Sequence, residues 1–371
     1  MGARPGSIRN YGIDALRIVS MLMVVVLHVL GQGGILDSID LQFTSIRSLS
    51  FWFLYYLCLC SVNCFALISG YVGYGSRHLP SRTMLLWIEL VFFTTLENIL
   101  LVAFGYANFN AELVWQSLFP VTSRYLWFGT AYIMLSIISP LIDFAIASSS
   151  KNGAKIALLG FFLLASGLSL APWSDDPFNL NHGYSVLWLA YLYALGAFFR
   201  RYGLPGPSNS RCVLIAVACP LLNLALRCWA LGLFGISVQP INSAILLNLD
   251  SYTSPIVVMQ AICIVCLFAR FNPGCRAIKI IKVVSPLMFG VYITHVHELV
   301  WTHVLAGNTA FASSFPAPCA LAAISAIALL IFICCLAASS VFHCLSSILN
   351  LDGIFKNTID TRVPALGLRE R

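Results

Sequence analysis

The sequence predicts an all-α integral membrane protein, a bundle of about ten transmembrane helices with the N and C termini cytoplasmic. Of its 371 residues, 59% are hydrophobic and only 9% are charged. A soluble domain carries about 25% charged residues, so this chain lacks the polar side chains needed to cover a water-facing surface. Apolar stretches of the length that crosses a bilayer, about 20 residues, also recur from end to end.

These stretches follow one another with short connections and leave no polar block long enough for a separate soluble domain. They cover residues 13–31, 49–71, 84–106, 125–146, 154–171, 184–199, 212–234, 251–271, 283–305 and 318–346. We therefore expect one membrane domain over residues 1–371, with cytoplasmic tails at 1–12 and 350–371. A multi-pass position in the cell membrane, in contact with lipid, follows from this organisation.

The basic residues alternate in a way that tests this order. With the N terminus inside, the cytoplasmic tails and connections carry Arg4, Arg9, Arg77, Arg82, Lys151, Lys155, Arg200, Arg201, Arg211, Arg270, Arg276, Lys279, Lys282, Lys356, Arg362, Arg369 and Arg371. The opposite side holds Arg47 and Arg124. This asymmetry follows the positive-inside rule and favours membrane topology over nucleic-acid binding as the reason for the net charge of +7.

The first predicted helix contains Asp14, Arg17 and His28, although charged side chains inside a membrane are costly and usually functional. Arg17 and His28 are eleven residues apart, which places them on one face, offset by roughly 20° and about 16 Å apart along the axis. Asp14 lies three residues before Arg17, within reach of an ion pair. Two interpretations stay open: an interfacial ion pair with an outward-reaching His28, or a polar track in which the imidazole exchanges protons.

The ninth stretch, VVSPLMFGVYITHVHELVWTH, repeats the pattern on a second helix. His295 falls at a depth similar to that of His28, with Tyr292 three residues before it and Glu298 three residues after it on the same side. Two histidines at similar depth favour a shared cavity. We expect His297 and His303 to occupy ordinary positions at the outer interface.

Charged residues of two further helices are candidates for the same site. Arg82 and Glu89 share a face of the third helix, and Glu89 is a candidate partner for Arg82 or Arg17. Glu97, deeper in that helix, is either structural or catalytic. Arg227 requires a partner or a water-filled cavity, so it is either a substrate contact or half of a structural ion pair. No cluster has the spacing of metal ligands, and no metal site is expected.

Four blocks, in order, resemble the acyltransferase-three family of integral-membrane O-acyltransferases. They are YGIDALRIVSMLMVVVLH, CFALISGYVGYGSR, YLWFGTAYIMLSIISPLI and SPLMFGVYITHVHE. Arg17 and His28 match the family's Arg and His with ten residues between them. The chain departs from the family pattern in two places: four residues separate Arg77 from Arg82 instead of two, and Val296 rather than Pro follows His295.

The resemblance implies transfer of an acyl group, most often acetyl from acetyl-CoA, to a hydroxyl of a surface glycan or a related extracytoplasmic acceptor. Acetyl-CoA would be a donor substrate, with no bound cofactor. Asp14, Arg17 and His28 would be the catalytic residues. Donor or acceptor contacts of lower rank are Arg77, Arg82, Glu89, Trp127, Arg227, Tyr292, His295 and Glu298.

A guanidinium suits the phosphates of CoA, and the imidazole of His28 would deprotonate the hydroxyl or carry the acyl group itself. A transporter or exporter with an intramembrane His, Arg and Glu relay is the main alternative. The sequence lacks the inverted repeats typical of many transporters. An assembly subunit for polysaccharide export is a third possibility.

Overall fold

The computed structural model describes residues 9–38, 45–122, 126–168, 176, 178–231, 246 and 248–362. These residues are largely helical, and no strand occurs among them. In chain order the helices are α1 (Tyr11–Leu30), α2 (Ile46–Cys58), α3 (Ser61–Gly73), α4 (Pro80–Ala103), α5 (Ala111–Leu118), α6 (Trp127–Ser148), α7 (Lys151–Leu168), α8 (Val186–Tyr202), α9 (Asn209–Ala230), α10 (Pro255–Ala269), α11 (Cys275–Val284), α12 (Met288–Val296), α13 (Ala317–Ile348) and α14 (Leu351–Phe355).

Seven helical segments in the described part of the chain are long and apolar enough to cross a bilayer. They are Tyr11–Leu30, Ile46–Gly73, Pro80–Ala103, Trp127–Ser148, Asn209–Ala230, Cys275–Val296 and Ala317–Ile348. The other three predicted stretches are also helical, as α7, α8 and α10, but contain 18, 17 and 15 residues. The prediction of an all-α, multi-pass membrane protein is confirmed, whereas ten crossings and cytoplasmic termini stay predictions.

The ninth predicted stretch is not one continuous helix. A 3₁₀ turn at Ser285–Leu287 joins α11 to α12, and α12 ends at Val296 because His297 is extended, with φ −64° and ψ 149°. A short turn, Glu298–Val300, then leads into a π-helical turn at Trp301–Leu305. The expected placement of Glu298 on the helical face of His295 is therefore wrong, since the helix ends between them.

Helix α1 lies in the interior of the bundle, against α2, α3 and the helices α10 to α13. Asn10 caps its first turn, because the side-chain oxygen accepts the backbone N–H of Ile13 at 3.1 Å. The Asn10 amide donates to the Ala269 carbonyl at 2.8 Å and thus ties the start of α1 to the end of α10. The polar residues of α1 are consequently held at fixed depths within the bundle.

Helices α3 and α8 pack closely because each has a glycine at the contact. A Cβ added to Gly70 would lie 1.9 Å from the Tyr193 carbonyl oxygen, and one on Gly196 would lie 2.1 Å from the Leu67 carbonyl oxygen. Small residues allow two membrane helices to approach until their backbones touch. This close packing positions the Tyr193 side chain beside α6, where it forms part of the candidate site.

Candidate active site

A cavity of about 860 Å³ lies between α3, α4 and α6, near the N-terminal end of α1. Three guanidinium side chains line it: Arg17 from α1, Arg77 from the connection before α4, and Arg82 from the first turn of α4. Apolar side chains of α4 and α6, including Trp87 and Leu135, form much of its remaining wall. We call this space the basic cavity. It combines a cationic end with an apolar interior.

Asp14 holds Arg17 at the edge of the basic cavity. The buried Asp14 carboxylate accepts from Arg17 at 2.7 Å and from Arg9 at 2.6 Å. Ser285 is at the outer limit of hydrogen-bonding distance from the same carboxylate, at 3.5 Å. Because two guanidinium groups share one carboxylate, the cavity end keeps a positive charge after Arg17 is oriented.

A second buried carboxylate organises the connection that carries Arg77. Asp143 accepts the backbone N–H of Gly75 at 3.2 Å and the hydroxyl of Tyr193 at 3.1 Å, and its Oδ2 lies 2.9 Å from Nε2 of His78. The other ring nitrogen of His78 is 3.1 Å from the Ser139 hydroxyl. We call Asp143, His78, Tyr193 and Ser139 the Asp143 network. Asp143 was missed in the sequence, although an acid inside an apolar helix is a usable signal.

His28 and His295 meet in the interior of the bundle. Their ring centroids are 5.0 Å apart, and the ring of Trp301 contacts His28 edge-on at 4.8 Å. His295 Nδ1 lies 2.7 Å from the Val291 carbonyl oxygen. A carbonyl only accepts, so Nδ1 carries the hydrogen and Nε2 has the lone pair. We call these two residues the histidine pair.

The histidine pair contains polar atoms that the described protein leaves unsatisfied. His28 Nδ1 and His295 Nε2 are both buried and have no hydrogen-bond partner among the described residues. Buried polar atoms in folded proteins are nearly always paired, so each exception requires an explanation. Two unpaired imidazole nitrogens within one cluster are suited to binding a polar group of a ligand or exchanging a proton with it.

The basic cavity and the histidine pair are separate in this structure, and neither His28 nor His295 lines the cavity. A series of ring contacts leads from Tyr132, in the cavity wall, to Phe128 at 5.7 Å. Phe128 contacts Tyr292 at 5.2 Å, and Tyr292 lies 6.2 Å from His295. The hydroxyl of Tyr292 accepts the backbone N–H of Gly129 at 3.3 Å. Of the predicted polar track, only Arg17 therefore lines the cavity, and a series of aromatic contacts connects the cavity wall to His295.

Trp127 lies away from the histidine pair. Its ring contacts Tyr184 at 4.7 Å and Tyr252 at 6.4 Å, on the side of the bundle where α6 and α8 begin. It is connected to the site through its neighbour Phe128, which contacts Tyr292.

Glu89 is buried and makes no ion pair with Arg17 or Arg82 in the part of the chain that the structure describes. Its Oε1 has no hydrogen-bond partner there. The carboxylate instead faces α12, since a Cβ on Gly290 would lie 2.8 Å from Oε1. This position brings the acid close to the backbone of the helix that carries His295.

Arg227 pairs with Asp250 at 3.0 Å and lies 3.3 Å from the ring centre of Trp52. The hydroxyl of Tyr56 contacts both charged partners. Burial raises the pKa of the Asp250 carboxyl above its ordinary value, and the Arg227 guanidinium opposes that shift. These contacts favour the structural ion pair over the substrate contact.

The three charged or titratable residues that follow His295 differ in their surroundings. Glu298 is exposed. His303 is exposed and stacked on Tyr106 at 3.8 Å, and its expected position at the outer interface stays a prediction. The same expectation is wrong for His297, which is fully buried and lies 3.0 Å from the Glu97 carboxylate. The pairing was missed because nothing in the sequence indicates that α4 meets the end of α12.

A family model described as an acyltransferase domain matches residues 10–341. This range includes α1 to α12 and most of α13, and so both the basic cavity and the histidine pair. No curated protein matches the chain, and no solved structure matches it.

Proposed function

The chain belongs to the acyltransferase-three family, and on that premise we propose that it transfers an acyl group, acetyl in the first instance, from acyl-CoA to a hydroxyl of a surface glycan or similar acceptor. The observation that carries the proposal is the pairing, on one helix, of Arg17 at the basic cavity with a partly buried His28 facing His295. The plasma membrane is the proposed location.

The basic cavity is the proposed donor site. Arg17, Arg77 and Arg82 supply planar guanidinium groups that bind phosphate oxygens through paired hydrogen bonds. The apolar wall formed by side chains such as Trp87 and Leu135 suits the less polar arm of acyl-CoA. Asp14 and Asp143 act here as orienting groups, since one fixes Arg17 and the other fixes the connection that carries Arg77.

The histidine pair supplies the chemistry in this proposal. An imidazole nitrogen takes the proton of the acceptor hydroxyl while the oxygen of that hydroxyl attacks the thioester carbonyl carbon. The carbon–sulfur bond then breaks, and CoA leaves as the thiol after receiving that proton. A second route is open, in which the imidazole nitrogen attacks first, releases the thiol and passes the acyl group to the hydroxyl.

The aromatic residues between the two parts of the site impose a condition on either route. Arg17 and His28 are separated by about 16 Å along α1, as expected for eleven helical residues. Tyr132 and Phe128 lie on the line of ring contacts between the cavity and Tyr292. In this proposal these side chains move when donor binds, so that the thioester reaches the histidine pair.

The test is acyl transfer by the purified protein in proteoliposomes, with acetyl-CoA on one side and a hydroxyl-bearing glycan acceptor on the other. We expect acceptor-dependent release of CoA and a mass gain of one acetyl group on the glycan. His303→Ala, which changes an exposed histidine of the π-helical turn, is the matched control for His28→Ala.

A CoA-derived photoprobe locates the donor in the same preparation. We expect labelling near Arg17 and Arg82 that excess acetyl-CoA prevents. Labelling indifferent to acetyl-CoA, together with uptake of a solute into the proteoliposomes, would refute the acyltransferase proposal and support a transporter.

A further inference from the structure

The segment from His295 to Trp301 bends around His28 and contacts it twice. His295 contacts His28 from the last turn of α12, and Trp301 contacts it from the π-helical turn. Between them the chain turns at His297, whose Nδ1 lies 3.3 Å from the Leu299 backbone nitrogen and whose carbonyl accepts the Trp301 N–H at 2.8 Å. His297 therefore caps the turn that places Trp301.

Glu97 of α4 anchors this bend from outside the segment. Its Oε2 lies 3.0 Å from His297 Nδ1, and the two side chains are 6% and 0% exposed. The proposed transfer uses neither group. A buried acid and imidazole lose hydration that their attraction only partly recovers, and apolar side chains of similar volume often fill such a site with equal or greater stability. Packing alone thus gives no reason for this pair.

We propose that Glu97 and His297 are positioning residues that hold the 295–301 bend in the shape that keeps His295 and Trp301 against His28. This rests on the proposed function in so far as the histidine pair performs the transfer. Neither residue touches the reacting atoms in that scheme. A displacement of about 1 Å in a reacting group can cost about 100-fold in rate, so an anchor of this bend controls turnover.

The decisive variant is the double substitution Glu97→Leu with His297→Leu, which replaces the buried polar pair by an apolar one. We expect its melting temperature to be at or above that of the wild type, with unchanged stoichiometry and affinity for acetyl-CoA at the basic cavity. Its turnover per bound donor should fall about 100-fold, because the cap of the bend is lost. Wild-type turnover in the folded double variant would overturn the proposal.

A second variant covers the case in which the Leu pair fails to fold. Glu97→Gln keeps the shape of the side chain and a polar contact with His297, so we expect turnover close to that of the wild type. If the Gln variant loses as much turnover as the Leu variants, the charge or proton of Glu97 is required rather than its hold on the bend. Glu112→Leu, which removes an exposed acid of α5, is the matched control.

A crosslinking measurement does not depend on acyl transfer. Cysteines replacing His28 and Trp301, in a chain without its native cysteines, should be bridged by a short bifunctional reagent. We expect high yield with native Glu97 and with Glu97→Gln, and low yield with the Leu pair. Equal yield in all three would overturn the proposal. If the wild-type protein transfers no acyl group, only the proposed function is refuted. The crosslinking yield still tests whether Glu97 and His297 hold the 295–301 bend.

Discussion

The two parts of the candidate site differ in how their polar groups are satisfied. At the basic cavity, Asp14 and Asp143 are buried, and each accepts from several donors of the protein. In the histidine pair, His28 Nδ1 and His295 Nε2 have no partner among the described residues. Satisfied networks fix geometry, whereas unsatisfied buried groups are poised for a ligand or a proton. In the proposed function, binding accordingly belongs to the cavity and chemistry to the interior.

The largest expected effect is on turnover through the histidine pair. His28→Ala removes a proton acceptor from the interior, and we expect kcat to fall by about 10²–10⁴-fold, the usual contribution of a positioned general base. Affinity for acetyl-CoA, measured by equilibrium binding, should be unchanged because the proposed donor site lies at the basic cavity. Wild-type turnover in the variant would remove His28 from the mechanism, and His303→Ala should behave as the wild type.

The next effect is on donor binding. Arg17→Ala removes a charge-assisted contact to phosphate, which is worth about 1.5–3 kcal/mol, so we expect the Kd for acetyl-CoA to rise by roughly 10–100-fold. Arg17→Lys should recover only part of this, since a point charge does not reproduce the planar fork. Arg211→Ala, at an exposed arginine of α9, is the control. Unchanged Kd in both Arg17 variants would leave Arg17 a structural role only.

A smaller effect is expected from the Asp143 network. Asp143→Asn places an amide where three donors converge, so one donor loses its acceptor at a cost of about 1–3 kcal/mol in the free energy of unfolding. The connection that carries Arg77 should loosen, and the KM for acetyl-CoA should rise more than kcat falls. Asp352→Asn, at an exposed residue of α14, is the control. A fall in kcat with unchanged KM would link Asp143 to the chemistry instead.

The smallest effect on turnover is expected away from both regions. Arg227→Met leaves Asp250 without its cation and should lower thermal stability, measured by the melting temperature of the purified protein. Adding Asp250→Asn should restore part of the loss, because the unpaired charge is then removed. Turnover per folded molecule should stay close to that of the wild type. A clear loss of acceptor affinity in Arg227→Met would instead make Arg227 a substrate contact.

Patterns within one helix were predictable from the sequence. The i, i+3 spacing of Asp14 and Arg17 predicts their contact, and the structure has them 2.7 Å apart. The eleven-residue spacing of Arg17 and His28 places them on one helical face, because the period of a helix is fixed by its backbone. The meeting of His28 with His295 was inferred from their similar depth, and the structure has their ring centroids 5.0 Å apart.

Contacts between distant segments were not predictable in this way. The pairing of His297 with Glu97 and the convergence of His78, Tyr193 and Asp143 each join residues from different helices. Single-sequence periodicity reports which face of a helix a residue occupies, and it does not report which helix lies opposite. The prediction that Glu298 shares a helical face with His295 failed for a related reason. The helix breaks at His297, where a side-chain cap forms that the period of the sequence does not indicate.

The sequence by itself determined the membrane class, the helical stretches and the polar face of α1, because hydropathy and the 3.6-residue period are local properties of the chain. Only the tertiary structure decided that Arg17 lines a cavity that His28 does not line. It also decided that Arg227 is paired and that His297 is buried. Lipid tails are as apolar as the side chains of a membrane helix, so the hydrophobic effect does not select which helices become neighbours. Close packing and the need to satisfy buried polar groups select them, and both depend on the whole fold.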